Sequence, residues 1–231
     1  MSPTPDTTVI PRLAATAGEP PEQSLESTLA ATRRLGAVAA AAALVALLVG
    51  GTAMSALGGA SVADVGVVRL HPAPALIGSA ALAAVSLFDA FTVPALHRTL
   101  RSSGTVLILV ATGCALTGDL LGIVGRTVQH AAAQTALMGG SAPSVAALDQ
   151  TQRSLNAFGF VLVAVSFATF GVLYRRAGHR WLGATALSAG LLTGLGQVPG
   201  LQPLFYLANV FFVAWYVGLI RQFGARSGIP C

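Results

Sequence analysis

The sequence predicts an all-α membrane protein, a polytopic bundle of six transmembrane helices. Only 9% of its 231 residues are charged, 54% are hydrophobic, and the mean hydropathy is +0.74. A soluble domain carries roughly 25% charged residues, so this chain cannot cover a surface that faces water. Six apolar stretches of about 20 residues, the length that crosses a bilayer, are separated by connections, and all of these except the last contain arginine. The lipid bilayer is therefore its expected partner.

The elements follow in a simple order. Residues 1–34 carry five prolines and several acids, which predicts a disordered N-terminal tail. The six-helix transmembrane domain covers residues 35–221, with spans at about 35–57, 74–96, 104–125, 156–174, 181–198 and 204–220. The longest connection, 126–155, is alanine-rich and indicates a surface helix. Residues 222–231 are expected to form a short C-terminal tail.

The first span allows two interpretations. Thr32 to Leu35, followed by an apolar run that ends near Ala60 to Ala63, is typical of a cleaved export signal. The long polar segment before it and the further spans after it favour an anchor that is not cleaved.

The arginines predict the orientation, and the chain contains no lysine. Six spans place both termini on one side of the membrane. Ten arginines lie in the tails and turns of that side: Arg12, Arg33, Arg34, Arg98, Arg101, Arg175, Arg176, Arg180, Arg221 and Arg226. Only Arg69, Arg126 and Arg153 lie on the other side. Because basic residues accumulate in cytoplasmic loops, we expect an inner-membrane protein with both termini in the cytoplasm. Tyr174, Trp181, Trp215 and Tyr216 are expected in the headgroup zone of that side.

Asp89 is the first polar residue that needs an explanation. It lies in the second span, roughly 11 Å from the cytoplasmic end. A carboxyl group at mid-bilayer costs about 2.5–3.5 kcal/mol, so it needs a polar partner or a wet cavity. Ser86 and Thr92 share its side of the helix, and we expect hydroxyl groups from other spans at similar depth: Thr112, Thr169 and Ser188. Asp89 either links helices or acts as a functional, catalytic acid.

Asp119 lies in the third span, roughly 9 Å from the opposite end. Other polar residues are expected in the same outer layer of the membrane: Ser79, Thr193 and Asn209, with Arg126 two turns away on the same helix face. One interpretation is a tether from Asp119 to Arg126 or Asn209. The other is a ligand-binding or catalytic site that opens to the outside.

Several classes of function are disfavoured. The net charge of +5 is not organised into a basic helix or an aromatic-basic face, so we expect no nucleic-acid partner. The four histidines flank the spans instead of lying in them, which disfavours haem ligation. No metal-ligand spacing, phosphate loop or nucleophile elbow is present in the sequence, so we expect no cofactor and no metal.

Three segments carry a resemblance to a family. They are Ala95-Leu-His-Arg-Thr-Leu-Arg101, then Phe170-Gly-Val-Leu-Tyr-Arg-Arg176 followed by Trp181-Leu-Gly183, and Ala214-Trp-Tyr-Val-Gly-Leu-Ile220 followed by arginine. On these segments the chain resembles a bacterial domain-of-unknown-function family of six-helix membrane proteins, over roughly residues 35–221. The resemblance implies a six-helix fold and carries no activity.

Three functions remain open. The first is a non-enzymatic protein that binds or passes a small or lipidic ligand through a polar bundle interior. The residues expected to line that interior are Asp89, Asp119, Ser86, Thr92, Thr112, Ser188, Thr193, Asn209 and Arg126. The second is an intramembrane enzyme that acts on a lipid or isoprenoid by carboxylic-acid catalysis. The third is a structural or regulatory partner of another membrane protein. The sequence does not reveal an oligomeric state.

Overall fold

The computed structural model describes residues 21–58 and 63–225, and within them every regular element is helical. The helices are α1 (Pro21–Ser55), α2 (Val65–Leu70), α3 (Pro72–Leu100), α4 (Thr105–Leu137), α5 (Ala142–Arg176), α6 (Arg180–Leu195) and α7 (Pro203–Ala225), with a short 3-10 turn at Arg101–Ser103. By length and composition, five of them are able to cross a membrane: α1, α3, α4, α5 and α7. This finding supports the predicted multi-pass membrane protein.

The predicted count of six spans is not confirmed. The fifth predicted span, 181–198, corresponds to α6, which has 16 residues and is only about 24 Å long. The helix ends at Leu195, because Gly196 begins the turn that leads to Pro199 and Gly200, and this turn replaces the end of the predicted span.

The long helices form a closed ring. Each packs against its neighbour in the chain, in the order α1, α3, α4, α5, α6 and α7, and α7 returns to α1. Short connections make consecutive helices antiparallel. The ring therefore has an arginine-rich end, where α3 meets α4 and α5 meets α6, and a hairpin end, where α4 meets α5.

The surface of the ring is apolar, as lipid contact requires. Large hydrophobic side chains are more than two-fifths exposed on the five long helices, among them Val38, Val45, Leu87, Phe91, Val106, Leu109, Leu120, Val161 and Val210. Exposed apolar area on this scale marks a surface that another apolar phase covers. The distribution of side chains thus agrees with the hydropathy of the sequence.

The segment 126–155, predicted as a long connection, is a helical hairpin. Helix α4 continues to Leu137, α5 begins at Ala142, and only four residues join them. Gly139 has a φ of 85°, a conformation that favours glycine in the turn. Alanine is the strongest helix former, and Ala132, Ala133 and Ala136 are fully buried here.

Helix α2 closes the hairpin end. Asp64 caps it by accepting hydrogen bonds from the backbone N–H groups of Gly66 and Val67 at 3.1 and 3.2 Å. Arg69 Nε donates to the Ala136 carbonyl of α4 at 3.0 Å. Val68 completes a second small core with Val145 and the α4 alanines. The hairpin end is therefore a packed cap and not a loose loop.

Helix α1 begins at Pro21, 14 residues before the first predicted span, so residues 21–34 of the predicted tail are helical. The cause is tertiary. Arg98 of α3 donates to the Thr28 carbonyl at 3.3 Å and to the Thr32 hydroxyl, which holds this part of α1 against α3. The rest of the predicted N-terminal tail, residues 1–20, and the end of the C-terminal tail, 226–231, lie outside the described residues.

Three of the four aromatic residues expected in the headgroup zone face the bundle interior and not the lipid. Trp181 is 57% exposed, as a side chain in the headgroup zone should be. Tyr174, Trp215 and Tyr216 are instead 0–2% exposed. Trp215 contacts the rings of Phe167 and Tyr174, with centroids 5.5 and 5.4 Å away. These aromatic residues face the bundle interior because α7 packs between α1 and α6, so burial in the ring outweighs interfacial preference.

Candidate functional site

The contact between α3 and α4 brings Asp89 and Asp119 to one level. A β-carbon at Gly122 of α4 would lie 2.5 Å from Ser86 Oγ of α3, so the two helices touch at this point. Because α3 and α4 are antiparallel, a step of three residues toward the arginine-rich end leads from Ser86 to Asp89 on α3. The same step leads from Gly122 to Asp119 on α4. The register alone therefore places the two carboxyl groups side by side.

This arrangement corrects the predicted depths. Counting from the arginine-rich ends, Asp89 lies about 16 Å into α3 and Asp119 about 21 Å into α4. The hydropathy pattern predicts separate inner and outer layers for the two residues, because it ends the third span at residue 125. The two carboxyl groups lie within Coulombic range of each other, so they form one acidic centre.

Tyr216 is the third member of this centre, and it is absent from the predicted site. Its hydroxyl group is close enough to interact with the Asp89 side chain and lies within Coulombic range of Asp119. The ring is 2% exposed. Nothing in the spacing of α7 points to Asp89, because the contact depends on α7 returning to the ring beside α1.

Around Asp89 there is a small pocket. Its polar lining comes from Asp89, Thr92 and Ser166, and its apolar lining from Val93, Leu96, Ala115, Phe167, Phe170 and Trp215. The Thr92 hydroxyl donates to the Asp89 carbonyl at 2.7 Å and to Asp89 Oδ1 at 3.3 Å. The pocket has room for about one water molecule.

Two buried polar atoms near the centre have no hydrogen-bond partner among the described residues: Asp119 Oδ2 and Ser166 Oγ. Asp119 is 4% exposed and Ser166 1%. Leaving such a group without a hydrogen-bond partner costs about 1–3 kcal/mol. Two such groups near each other therefore indicate a place for water or another small polar ligand.

The other predicted site residues are less closely associated with the centre. The Thr112 hydroxyl donates to the carbonyl of Ile108 in its own helix at 2.8 Å. Asn209 Nδ2 donates to the Phe205 carbonyl at 3.4 Å. Ser188 is half-buried on α6. Thr193 is fully buried, and its hydroxyl has no partner in the described part of the chain.

Neither predicted tether of Asp119 is formed. Arg126 Nη1 donates to Gln129 Oε1 at 2.7 Å, and Asn209 bonds its own helix. The reason is geometric, because Arg126 lies two turns from Asp119, toward the hairpin end. The amide oxygen of Gln129 is only one turn from Arg126 on the same helix.

Polar side chains continue from the acidic centre toward the hairpin end. Gln129, Asp149, Gln152 and Asn156 are 4–7% exposed, although their side chains are polar or charged. Ser79 is fully buried and its hydroxyl lies 2.9 Å from His130 Nδ1. We call these six residues, together with Ser86 and Arg126, the polar column. The sequence carries a signal for it, because positions 149, 152 and 156 recur on one helix face.

The opposite half of the bundle is mainly apolar, although Thr185 and the amide atoms of Gln222 are also buried there. Between the acidic centre and the arginine-rich end, the interior is filled by fully or almost fully buried side chains that include Leu96, Leu100, Ile108, Leu173, Leu219 and Phe223. We call this cluster the apolar plug. It separates the carboxyl groups from the arginine-rich end.

The described residues contain no group of three His, Cys, Asp or Glu side chains able to hold a metal ion. Comparison with protein-family models, with curated proteins and with solved structures finds no match.

Proposed function

We propose that the chain spans the cytoplasmic membrane six times, with both termini in the cytoplasm, and that it belongs to the six-helix family it resembles. The closed ring supports the sixth span, because α6 packs antiparallel to both α5 and α7: Gly190 lies against Ala164, Gly183 against Arg175, and Gly218 against Leu182. The asymmetry of ten arginines to three supports the orientation.

For the activity, we infer that the interior binds and passes a small ligand of the size of water or a proton. The observation that carries this proposal is the acidic centre itself: Asp89 and Asp119 at one level, with the Tyr216 hydroxyl close to Asp89. Ionisable residues inside a bundle are characteristic of proton relays. The polar column provides the approach from the hairpin end.

The centre has the parts that proton transfer requires. A carboxyl group accepts a proton on one oxygen and donates it from the other, and a tyrosine hydroxyl both donates and accepts. A proton that arrives along the polar column reaches Asp119 first, and then Asp89 and Tyr216. The apolar plug stops it there, so release toward the arginine-rich end requires the plug to open.

A larger ligand fits less well. The aromatic lining of Phe167, Phe170 and Trp215 around Asp89 favours the alternative of an intramembrane enzyme that acts on a lipid or isoprenoid. The pocket, however, has room for about one water molecule, so an isoprenoid would have to displace the rings. A structural or regulatory partner, the third alternative, does not require two carboxyl groups in the interior.

The test is proton uptake into proteoliposomes that contain a trapped pH dye, driven by a potassium diffusion potential. We expect uptake above that of protein-free vesicles, and a fall of about tenfold or more in Asp119→Asn and Asp89→Asn. Asp64→Asn is the matched control, because this exposed acid caps α2 outside the polar column, and asparagine caps a helix about as well as aspartate. Uptake that survives both substitutions in the acidic centre would refute the proposal.

A further inference from the structure

A niche between α1 and α3 lies at the arginine-rich end, away from the acidic centre. Its polar lining consists of the guanidinium groups of Arg33 and Arg98 and the side chains of Thr32 and Thr99, and Leu29 and Ala95 complete it. All four polar side chains are hydrogen-bond donors. The lining contains no acceptor other than the two threonine hydroxyls and the backbone.

The two guanidinium groups have no counter-charge among the described side chains. Neither Arg33 nor Arg98 forms an ion pair with an acidic side chain in the described part of the chain. Arg98 donates through Nη1 to the Thr28 carbonyl and the Thr32 hydroxyl, which leaves its other N–H groups available. Two like charges that line one niche repel each other, so the arrangement is stabilised when an anion lies between them.

The position of the niche indicates the kind of anion. It lies at the ends of two membrane-spanning helices, where lipid headgroups are found. Just beyond it toward the membrane interior, α3 exposes Leu87 and Phe91 on the helix face of Arg98, and they are 45% and 48% accessible. Arginine binds phosphate oxygens in a bidentate manner. A phosphate with hydrocarbon chains attached would satisfy both the guanidinium groups and these apolar side chains.

We propose that this niche binds the phosphate of an anionic phospholipid, with Arg33 and Arg98 on the phosphate oxygens and the Thr99 hydroxyl as a further donor. The Thr32 hydroxyl donates to the Thr28 carbonyl at 2.8 Å and holds Arg98 in place as an acceptor. Leu87 and Phe91 contact the acyl chain. A bound lipid holds the N-terminal part of α1 against α3, because it bridges one arginine from each helix. This site is independent of the acidic centre and of the function proposed for it.

The test measures the thermal unfolding of the full chain in detergent as phosphatidylglycerol, phosphatidylcholine or inorganic phosphate is added. We expect saturable stabilisation by phosphatidylglycerol, and little by the other two. In Arg33→Gln/Arg98→Gln the concentration for half-saturation should rise by about tenfold or more, since the variant loses the charge-assisted hydrogen bonds to the phosphate.

The matched control is Arg175→Gln/Arg176→Gln, which removes the same charge from the same end of the bundle but leaves the niche intact. It should bind phosphatidylglycerol like the unmodified protein. An equal loss in both double variants would show diffuse attraction to the basic end and would overturn the proposal. Saturable stabilisation by inorganic phosphate alone would also overturn it, in favour of a soluble phosphate compound.

A second variant distinguishes a loss of lipid binding from misfolding. Arg33 makes no hydrogen bond in the described part of the chain, so Arg33→Gln keeps both Arg98 contacts with α1. It should fold normally and still weaken phosphatidylglycerol binding by several-fold. Unchanged binding in a folded Arg33→Gln protein would refute the role of the niche.

Discussion

The two halves of the bundle are filled by different kinds of side chain. Between the acidic centre and the arginine-rich end, the apolar plug fills the interior with leucine and aromatic side chains. Toward the hairpin end, the same ring of helices encloses the polar column. One helix ring therefore contains a mainly apolar half and a half lined by polar side chains, where the contact of Ser79 with His130 joins α3 and α4. The carboxyl groups lie where the two halves meet.

This contrast determines where a ligand can enter. Apolar packing at native density leaves no path for a polar species, whereas buried amide, hydroxyl and imidazole groups can exchange hydrogen bonds with water. For the proposed function, this contrast favours exchange of a small polar species through the polar half. Substitutions in the two halves should therefore have different effects.

The largest expected effect is the difference in cysteine labelling between the two ends of the bundle. Single cysteines are introduced in a chain that lacks Cys114 and Cys231. In intact cells, an impermeant thiol reagent should label Ser144→Cys and Gln202→Cys, and should not label Ser102→Cys or Ala177→Cys. All four sites are exposed, so accessibility differs only through the side of the membrane. Labelling of Ser102→Cys from outside would reverse the proposed orientation.

The apolar half should respond most strongly to truncation. Trp215 is 1% exposed and contacts Phe167 and Tyr174, so Trp215→Ala should destabilise the protein by about 3–5 kcal/mol. Trp181→Ala removes the same side chain from a 57% exposed position and should change stability by about 0.5 kcal/mol or less. Unfolding in detergent compares the two, and equal losses would contradict the burial of Trp215 in the apolar half.

The polar half should be sensitive to helix spacing. A β-carbon at Gly125 would clash with Asn156 Oδ1, so Gly125→Ala should cost about 1–3 kcal/mol through overpacking. Gly113→Ala is the control, because nothing lies within 4 Å of that position. In Gly125→Ala/Asn156→Ala the clash is removed, so the double variant should be more stable than the two separate losses predict. Strict additivity in detergent unfolding would argue against this contact.

The smallest effect is expected for a single bond between helices. Ser79→Ala removes the 2.9 Å contact with His130 Nδ1, and hydrogen bonds inside membrane bundles average about 0.6 kcal/mol. Ser154→Ala serves as the control, since that exposed hydroxyl bonds the Gln150 carbonyl of its own helix. Equal unfolding free energies of Ser79→Ala and Ser154→Ala would show that the bond to His130 does not link α3 and α4.

The parts of the site that are visible in the sequence are those that depend on hydropathy alone. Asp89 and Asp119 stand out because a carboxyl group inside an apolar run is costly wherever the helix packs. Their partners do not stand out. Hydropathy assigns Tyr216 to the headgroup zone, and the expected tethers from Asp119 to Arg126 and Asn209 do not form, because side-chain contacts between helices depend on rotation and register.

Hydropathy also does not predict how far a helix continues beyond the end of a membrane span. Residues 126–155 are polar enough to end a membrane span, but the end of a span is not the end of a helix. Backbone hydrogen bonds do not stop where the lipid does. In this chain the alanines continue α4 beyond the predicted end of the span, where α2 and Val145 cover them.

Helical structure and several passages through the membrane follow from the sequence alone, because a backbone in lipid must satisfy its hydrogen bonds within each helix and because apolar length is a local property. Which residues meet is a matter of tertiary packing. The contact of Ser86 with Gly122 sets the level of the two acids, and the return of α7 to α1 brings in Tyr216. Both depend on contacts between helices far apart in the chain, which no local pattern encodes.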